Sequence, residues 1–157
     1  MRRSDREKGA AWALEVFDKA PYITVGMITP EGFPYSVPLS LARKGTTTFY
    51  FHCAKEGRKA DCIKCNPNVF LSAVTKCAPK FEDETQNFTK HYNSDMASGI
   101  AEFVDNREEK IEALRLICKR FLPKYMDRFD AAIDRSLDRT AVVRITLTSP
   151  PVGKSKS

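Results

Sequence analysis

The stretch "FHCAKEGRKADCIKCNP", residues 51–67, decides how the rest of the chain is read. It opens on an apolar run carrying His52, one of only two histidines, passes through Lys55, Gly57, Arg58 and Lys59, and then reads as a helix stopped at Pro67. A strand that ends in donors and positive charge at the mouth of a helix suits an anion. The first helical turn exposes unpaired backbone N–H groups and the positive end of the dipole, and Gly57 lets the backbone come close. Arg58 would add a planar fork, Lys59 a point charge and His52 a donor from the strand end. Basic residues at a helix start are about as often merely solvated, so residue types alone leave both readings open.

Working outward, "RKGTTTFYFHC" (43–53) supplies a glycine turn and a strand from Thr47 to Cys53 leading into that corner. Before it, "YITVGMIT" (22–29), the turn "PEGF" and the alternating "PYSVPLSLAR" predict a hairpin. Pro34 and Pro38 cannot donate to a ladder, which marks the second strand of that hairpin as an edge with backbone groups free for a ligand. After the corner, "NVFLSAVTK" (68–76) reads as a fourth strand. Residues 77–94 read as a loop entering a fifth strand near Phe88 or Tyr92 and continuing through "MASGIAEFVD", with Ser98–Gly99 a bulge or a close approach. "TAVVRITLT" (140–148) makes a sixth.

Helices frame these strands. Ser4 and Glu7 have capping-box spacing ahead of Ala10, Leu14 and Phe17, predicting an opening helix that ends before Pro21. Asn106 and Glu109 predict a second cap, with Ile111, Leu114, Ile117 and Phe121 on one face up to Pro123, and a shorter helix covers Arg128 to Leu137. The expectation is an α+β domain over residues 1–149, a six-stranded antiparallel split β-barrel with peripheral helices, followed by a polar C-terminal tail, 150–157.

Composition narrows the function classes. The formal charge of +6 comes from 26 basic and 20 acidic residues, intermixed as in "DRFDAAIDRSLDR", which favours a local anion site over a groove for nucleic acid. No apolar run reaches the ~20 residues of a membrane helix, and the N-terminus lacks the apolar segment of an export signal, so a cytoplasmic protein that spans no membrane is expected. The five cysteines are an odd number and read as reduced thiols. "CIKC" lacks a second ligand pair and sits at the end of a helix rather than its start, so no metal is expected and Cys62 and Cys65 read as two small residues on one helix face.

The segments "PYSVPLS" (34–40), "FYFHCAKEGRKADCIKCNPNV" (49–69) and "KHYNSDMASGIAEFVDNREEKIEAL" (90–114), with "MRRSDRE" at the start, resemble the FMN-binding split-barrel proteins related to pyridoxamine 5'-phosphate oxidase, most closely the 5-nitroimidazole reductase (Nim) type. The resemblance spans nearly the whole chain, and F-H-x-A-x-E-G-R-K is its most specific part. It implies a homodimer with FMN at the subunit interface: His52, Cys53 and Ala54 along the ribityl phosphate, Gly57, Arg58 and Lys59 on the phosphate, and the backbone of Val37, Pro38, Leu39 and Ser40 against the isoalloxazine edge. Ser94 and Asn93 would approach from the other subunit. It implies an oxidoreductase acting on nitroaromatic or other small electrophiles with electrons from NADH or NADPH, or a non-catalytic flavin- or haem-related binder on the same fold. His52 is the best candidate for a direct role in the chemistry, although a structural hydrogen bond fits it nearly as well. The chain departs from the pattern at Asp95 and Met96, where apolar residues are usual near the ring, and at Cys53, where serine is common.

Overall fold

The computed structural model describes residues 3–156. Nine strands form one antiparallel sheet: β1 (Glu7–Lys8), β2 (Ile23–Ile28), β3 (Pro34–Leu39), β4 (Ala42–Lys44), β5 (Thr48–Ala54), β6 (Asn68–Glu82), β7 (Asn87–Phe103), β8 (Thr140–Leu147) and β9 (Val152–Lys156). Their order is β3-β2-β6-β7-β8-β5-β4, an open path that curls around a core without closing, with β9 alongside Tyr92–Met96 of β7 and β1 beside β9. Four α-helices lie around it: α1 (Ala10–Lys19), α2 (Arg58–Cys65), α3 (Arg107–Phe121) and α4 (Phe129–Ser136). This is the expected α+β split barrel, with more strands than the six anticipated.

Period-two alternation builds the interior. Ile23, Val25 and Met27 of β2, Val69, Leu71 and Ala73 of β6, and Ala141, Val143, Ile145 and Leu147 of β8 point inward and are buried, and on β8 Val142 of the opposite face is buried as well. Helix α1 lays Leu14 and Phe17 on this core, where the Phe17 and Phe49 rings meet edge to face at 5.2 Å. Each such fully buried side chain contributes ~1.5–3 kcal/mol of transfer free energy. A second core under α3 and α4 joins Leu114, Ile117, Phe129 and Ile133 to Tyr50 and Val142. The Asn106 cap is as expected, its Oδ1 accepting from the Glu109 N–H at 2.8 Å, and α3 stops ahead of Pro123.

Several expectations are corrected. The Ser4–Glu7 capping box does not form: Ser4–Arg6 is a 3-10 turn, and Glu7 and Lys8 pair with Lys154 and Gly153, so the helix starts only at Ala10 behind Gly9. Ladder partners from β9 outweigh a side-chain cap there. Residues 150–157, read as a polar tail, supply β9, whose pairing with Tyr92–Met96 satisfies backbone groups irrespective of side-chain polarity. Residues 77–94, read as a loop, continue β6 and β7 as a ladder from Asn68↔Ile100 to Glu82↔Asn87. The turn residue Gln86 takes φ +52, and its side-chain amide donates to the Asp83 carbonyl at 2.7 Å. The bulge falls between Val74 and Lys76, whereas Gly99 is the close approach.

A Cβ on Gly99 would lie 2.6 Å from Ile145 Cγ2 and 3.0 Å from the Thr146 carbonyl oxygen. Gly99→Ala should therefore push β7 off β8 and cost ~1–3 kcal/mol of stability, measured as a lowered urea midpoint with an unchanged slope. An unaltered midpoint would contradict the close approach.

Candidate functional site

The split of the barrel follows from unequal strand lengths. Strand β5 pairs with β8 along its whole length, Thr48–Ala54, but the three-residue β4 covers only Thr48–Tyr50 on the other edge. Phe51 to Ala54 are thus without a ladder partner on that side. Strand β3 pairs with β2 alone, Pro34 to Leu39, and forms the end of the sheet. Two strand edges with unclaimed backbone groups flank one core: Val37 and Leu39 pack on it from β3, and Cys53 packs on it from β5. Pro38, Ser40, His52 and Ala54 are exposed.

Helix α2 starts at the end of the β5 edge. Gly57 precedes it at φ +112, ψ 176, a conformation that costs any other residue ~1–3 kcal/mol. The helix opens with the Asp61 N–H donating to the Gly57 carbonyl at 3.1 Å. Among the described residues no side chain caps α2, which leaves its first-turn N–H groups without a side-chain acceptor at the end of β5. Its buried face, Ala60, Cys62 and Ile63, sits on the barrel core, whereas Cys65 is exposed; the two cysteines of "CIKC" lie on different faces rather than sharing one.

The basic side chains at this corner have separate fates. Arg58 donates to Glu31 at 3.2 Å, tying the helix start to the β2–β3 turn, with both side chains about half exposed. Such a pair stabilises by no more than ~1 kcal/mol and is easily exchanged for a stronger anion. Lys59 is half-buried, and its charge opposes the upward push that burial gives the Cys53 thiol. Glu31 went unremarked in the sequence because no spacing rule links a turn to a helix 27 residues away.

Behind His52 the sheet is locked. The Tyr50 hydroxyl and the Arg144 guanidinium both donate to Glu109 Oε1, at 2.9 and 2.8 Å, joining α3 to β5 and β8. Burial and the Glu109 carboxylate push the Tyr50 hydroxyl up to about 12, so it holds its proton.

Asn93 and Ser94 are not brought to the corner. They lie on β7 between β6 and β9, where Asn93 Oδ1 accepts from Ser155 at 2.8 Å. From Ser94 to the part of β7 that pairs with β8 next to Phe51 is about 30 Å of strand. Tyr92 lies under the Lys154 ammonium, 5.9 Å from its ring centre, and His91 is 3.9 Å from the Glu82 carboxylate on the polar face of the hairpin. A groove of about 490 Å³ lies instead across β3, β2, β6 and β7, among Gly26, Ile28, Ser36, Phe70 and Ser98. Among the described residues no group of three or more His, Cys, Asp or Glu side chains could hold a metal, and no helix is long and apolar enough to cross a membrane.

Asp95 points the opposite way from Ser94 and Met96. It is fully buried, pointing inward beneath α1, with Oδ1 accepting from the Ala73 N–H at 3.0 Å and Oδ2 without a partner among the described residues. Burial pushes its carboxyl up to about 8, the Ala73 N–H only partly opposing this. The folded chain therefore holds a proton that the unfolded chain has released above pH ~4. The sign follows: Asp95 costs nothing below pH ~4, and stability is lost as pH rises toward about 8. Asp95→Asn should remove this slope, at most ~1.4 kcal/mol per pH unit, in urea unfolding from pH 5 to pH 8. Parallel curves for the two proteins would refute the buried proton.

The profile of the pyridoxamine 5'-phosphate oxidase family matches residues 10–151. No curated protein is significantly similar to the chain. Among solved structures, the chain is similar to a candidate 5-nitroimidazole antibiotic resistance protein of Bacteroides thetaiotaomicron, at 23% identity and TM-score 0.76, over 90% of this chain and 81% of that one. It is similar to the flavocytochrome Anf3 of Azotobacter vinelandii, at 20% identity and TM-score 0.85, over 100% and 72%. A third likeness is to an FAD- and haem-binding protein of Mycobacterium smegmatis, at 16% identity and TM-score 0.83, over 97% and 74%. At these identities the likeness concerns the fold.

Proposed function

The chain belongs to the pyridoxamine 5'-phosphate oxidase family, and from that premise we propose that it is an FMN-dependent oxidoreductase that reduces small electrophiles such as nitroaromatic compounds with electrons from NADH or NADPH. The observation that carries the reading is a pair of unpaired strand edges beside one core, with an uncapped helix start behind Gly57 at the end of one of them. That arrangement fits a flat, hydrogen-bonding ring joined to a phosphate.

The fit is local and chemical. The first-turn N–H groups of α2 and the Lys59 ammonium would hold the phosphate, each charge-assisted bond contributing ~1.5–3 kcal/mol. Gly57 leaves open space, since a Cβ built there meets nothing within 4 Å. The free edge of β5 at His52, Cys53 and Ala54 would run along the ribityl chain, and the free edge of β3 at Val37, Pro38, Leu39 and Ser40 would supply backbone donors and acceptors to the ring edge. FMN, when bound, supplies hydride or single-electron transfer, and the protein contributes binding, orientation and electrostatics. Arg58 reaches the phosphate only by releasing Glu31. His52, exposed beside the split, is the side chain placed to donate a hydrogen bond to phosphate or substrate. Asn93 and Ser94, remote from the corner of their own chain, would complete the site of a second copy, so the active form is a homodimer.

A second reading is a flavin- or haem-related binding protein without turnover. It is supported by the likeness to the flavocytochrome and to the FAD- and haem-binding protein. Spectra separate the two: an FMN-loaded protein bleached by NADH or NADPH and reoxidised by a nitroimidazole is the oxidoreductase, and one that stays oxidised is the binder.

Flavin fluorescence titration tests the phosphate corner. Lys59→Ala should weaken FMN by ~1.5–3 kcal/mol, about 10- to 150-fold. Glu31→Gln should strengthen it by a few fold, because Arg58 is released. Equal affinity of wild type and Lys59→Ala would reject the assignment.

A further inference from the structure

At the other end of α2 from the Gly57–Lys59 corner lies a cavity of about 340 Å³. Three lysines line it from three directions: Lys55 just past the end of β5, Lys64 in the last turn of α2, and Lys110 near the start of α3. Its floor is apolar, made by Phe103, Val104 and Val142 where β7 ends and β8 begins. That floor is fixed by the backbone. The β7–β8 ladder closes at Phe103↔Val143, and the Val104 N–H then donates to the Val142 carbonyl at 2.9 Å. The β5–β8 ladder ends at Ala54↔Thr140, which sets where Lys55 leaves the sheet.

The charges around this cavity are unbalanced. Elsewhere Lys19, Lys44 and Lys156 each hold a carboxylate at 3.2 Å or less. Among the described residues Lys55, Lys64, Lys110 and the neighbouring Arg107 make no ion pair. Lys110 is half-buried, and its ammonium donates to the Leu137 carbonyl at 2.6 Å, a neutral acceptor that occupies one of its three protons. Burial holds Lys110 below its ordinary value, the nearby Lys55 and Arg107 add to this, and Asp138 opposes it. Asp105 is the one carboxylate in the lining. Four cations thus face two carboxylates, and the fold brings like charges together at a cost that a bound anion would reverse.

We propose that this cavity is a second anion site, which takes the phosphate group of a small phosphate ester other than the flavin. Arginine, whose planar fork matches a carboxylate, is absent from the lining. Three ammonium groups arriving from three directions suit instead the tetrahedral oxygens of a phosphate, to which lysine binds as a point charge. The cavity falls within the size range of small-molecule sites, so the organic part of the ester has room on the Phe103–Val104–Val142 floor. No residue of this cavity belongs to the flavin corner, and Lys64 is about 8 Å beyond Lys59 along the axis of α2.

Amide NMR of the full chain, titrated with phenyl phosphate, tests the site. Saturable shifts are expected at Asp105, Thr140 and Val142, and phthalate, an aromatic dicarboxylate, should produce none at equal ionic strength. Lys55 and Lys64 are exposed, so replacing both with glutamine should leave circular dichroism unchanged while weakening phenyl phosphate about tenfold or more. Lys124→Gln, an equally exposed change beyond α3, should leave the affinity as it is. Shifts confined to Gly57–Lys59 would place the anion at the flavin corner and overturn the second site. A loss with Lys124→Gln equal to that of the double variant, or equal binding of phthalate, would mean an adventitious ion only. Phenyl phosphate bound at the lysine cavity of a chain that fails to take up FMN would leave this site standing and remove the flavin reading.

Discussion

A strand edge without a ladder partner must satisfy its backbone groups in another way, and in this chain that constraint shapes everything around the split. β4 is too short to cover β5, and β3 has no outer neighbour, so two edges remain open beside one core. Water can satisfy them, but so can a ligand with donors and acceptors along its rim. The uncapped start of α2 adds N–H groups that only an anion or water would answer. Binding capacity here comes from incomplete secondary structure rather than from an assembly of specialised side chains.

Such incompleteness is tolerable because the surrounding frame is rigid. The Arg120 guanidinium, half-buried on α3, donates to the carbonyls of Phe17, Asp18 and Ala20 at the end of α1, at 2.6, 3.0 and 2.8 Å, and also to Leu41 ahead of β4. It therefore caps one helix from another and pins the β3–β4 connection that borders the split. The Arg144–Glu109–Tyr50 network does the same on the far side of β5. Both place cations on acceptors that would otherwise be stranded at the seam between the two cores.

Asp95 breaks the pattern. A carboxyl with one unpartnered oxygen under α1 is a standing cost at neutral pH, and the Ala73 N–H offsets only part of it. It sits on β7 between Ser94 and Met96, whose side chains point outward, so the strand carries a buried ionisable group on its inner face.

Residue order alone determined the hairpin of β2 and β3, the edge character signalled by Pro34 and Pro38, the Asn106 cap of α3, the inward alternation of β6 and β8, and the strand–glycine–helix corner at 51–67, because these depend on local periodicity and turn chemistry. The long β6–β7 ladder was hidden, since proline, lysine and acidic residues mask a period-two pattern whose apolar half is carried by widely spaced aromatics. β9 was hidden too, because a ladder uses the backbone and leaves little trace in side-chain composition. That Arg58 is held by Glu31, that Asp95 points inward and that Ser94 lies on β7 beside β9 rather than at the 51–67 corner were decided only when distant segments met. Pair contacts across a curled sheet depend on register, and register is a property of the assembled fold.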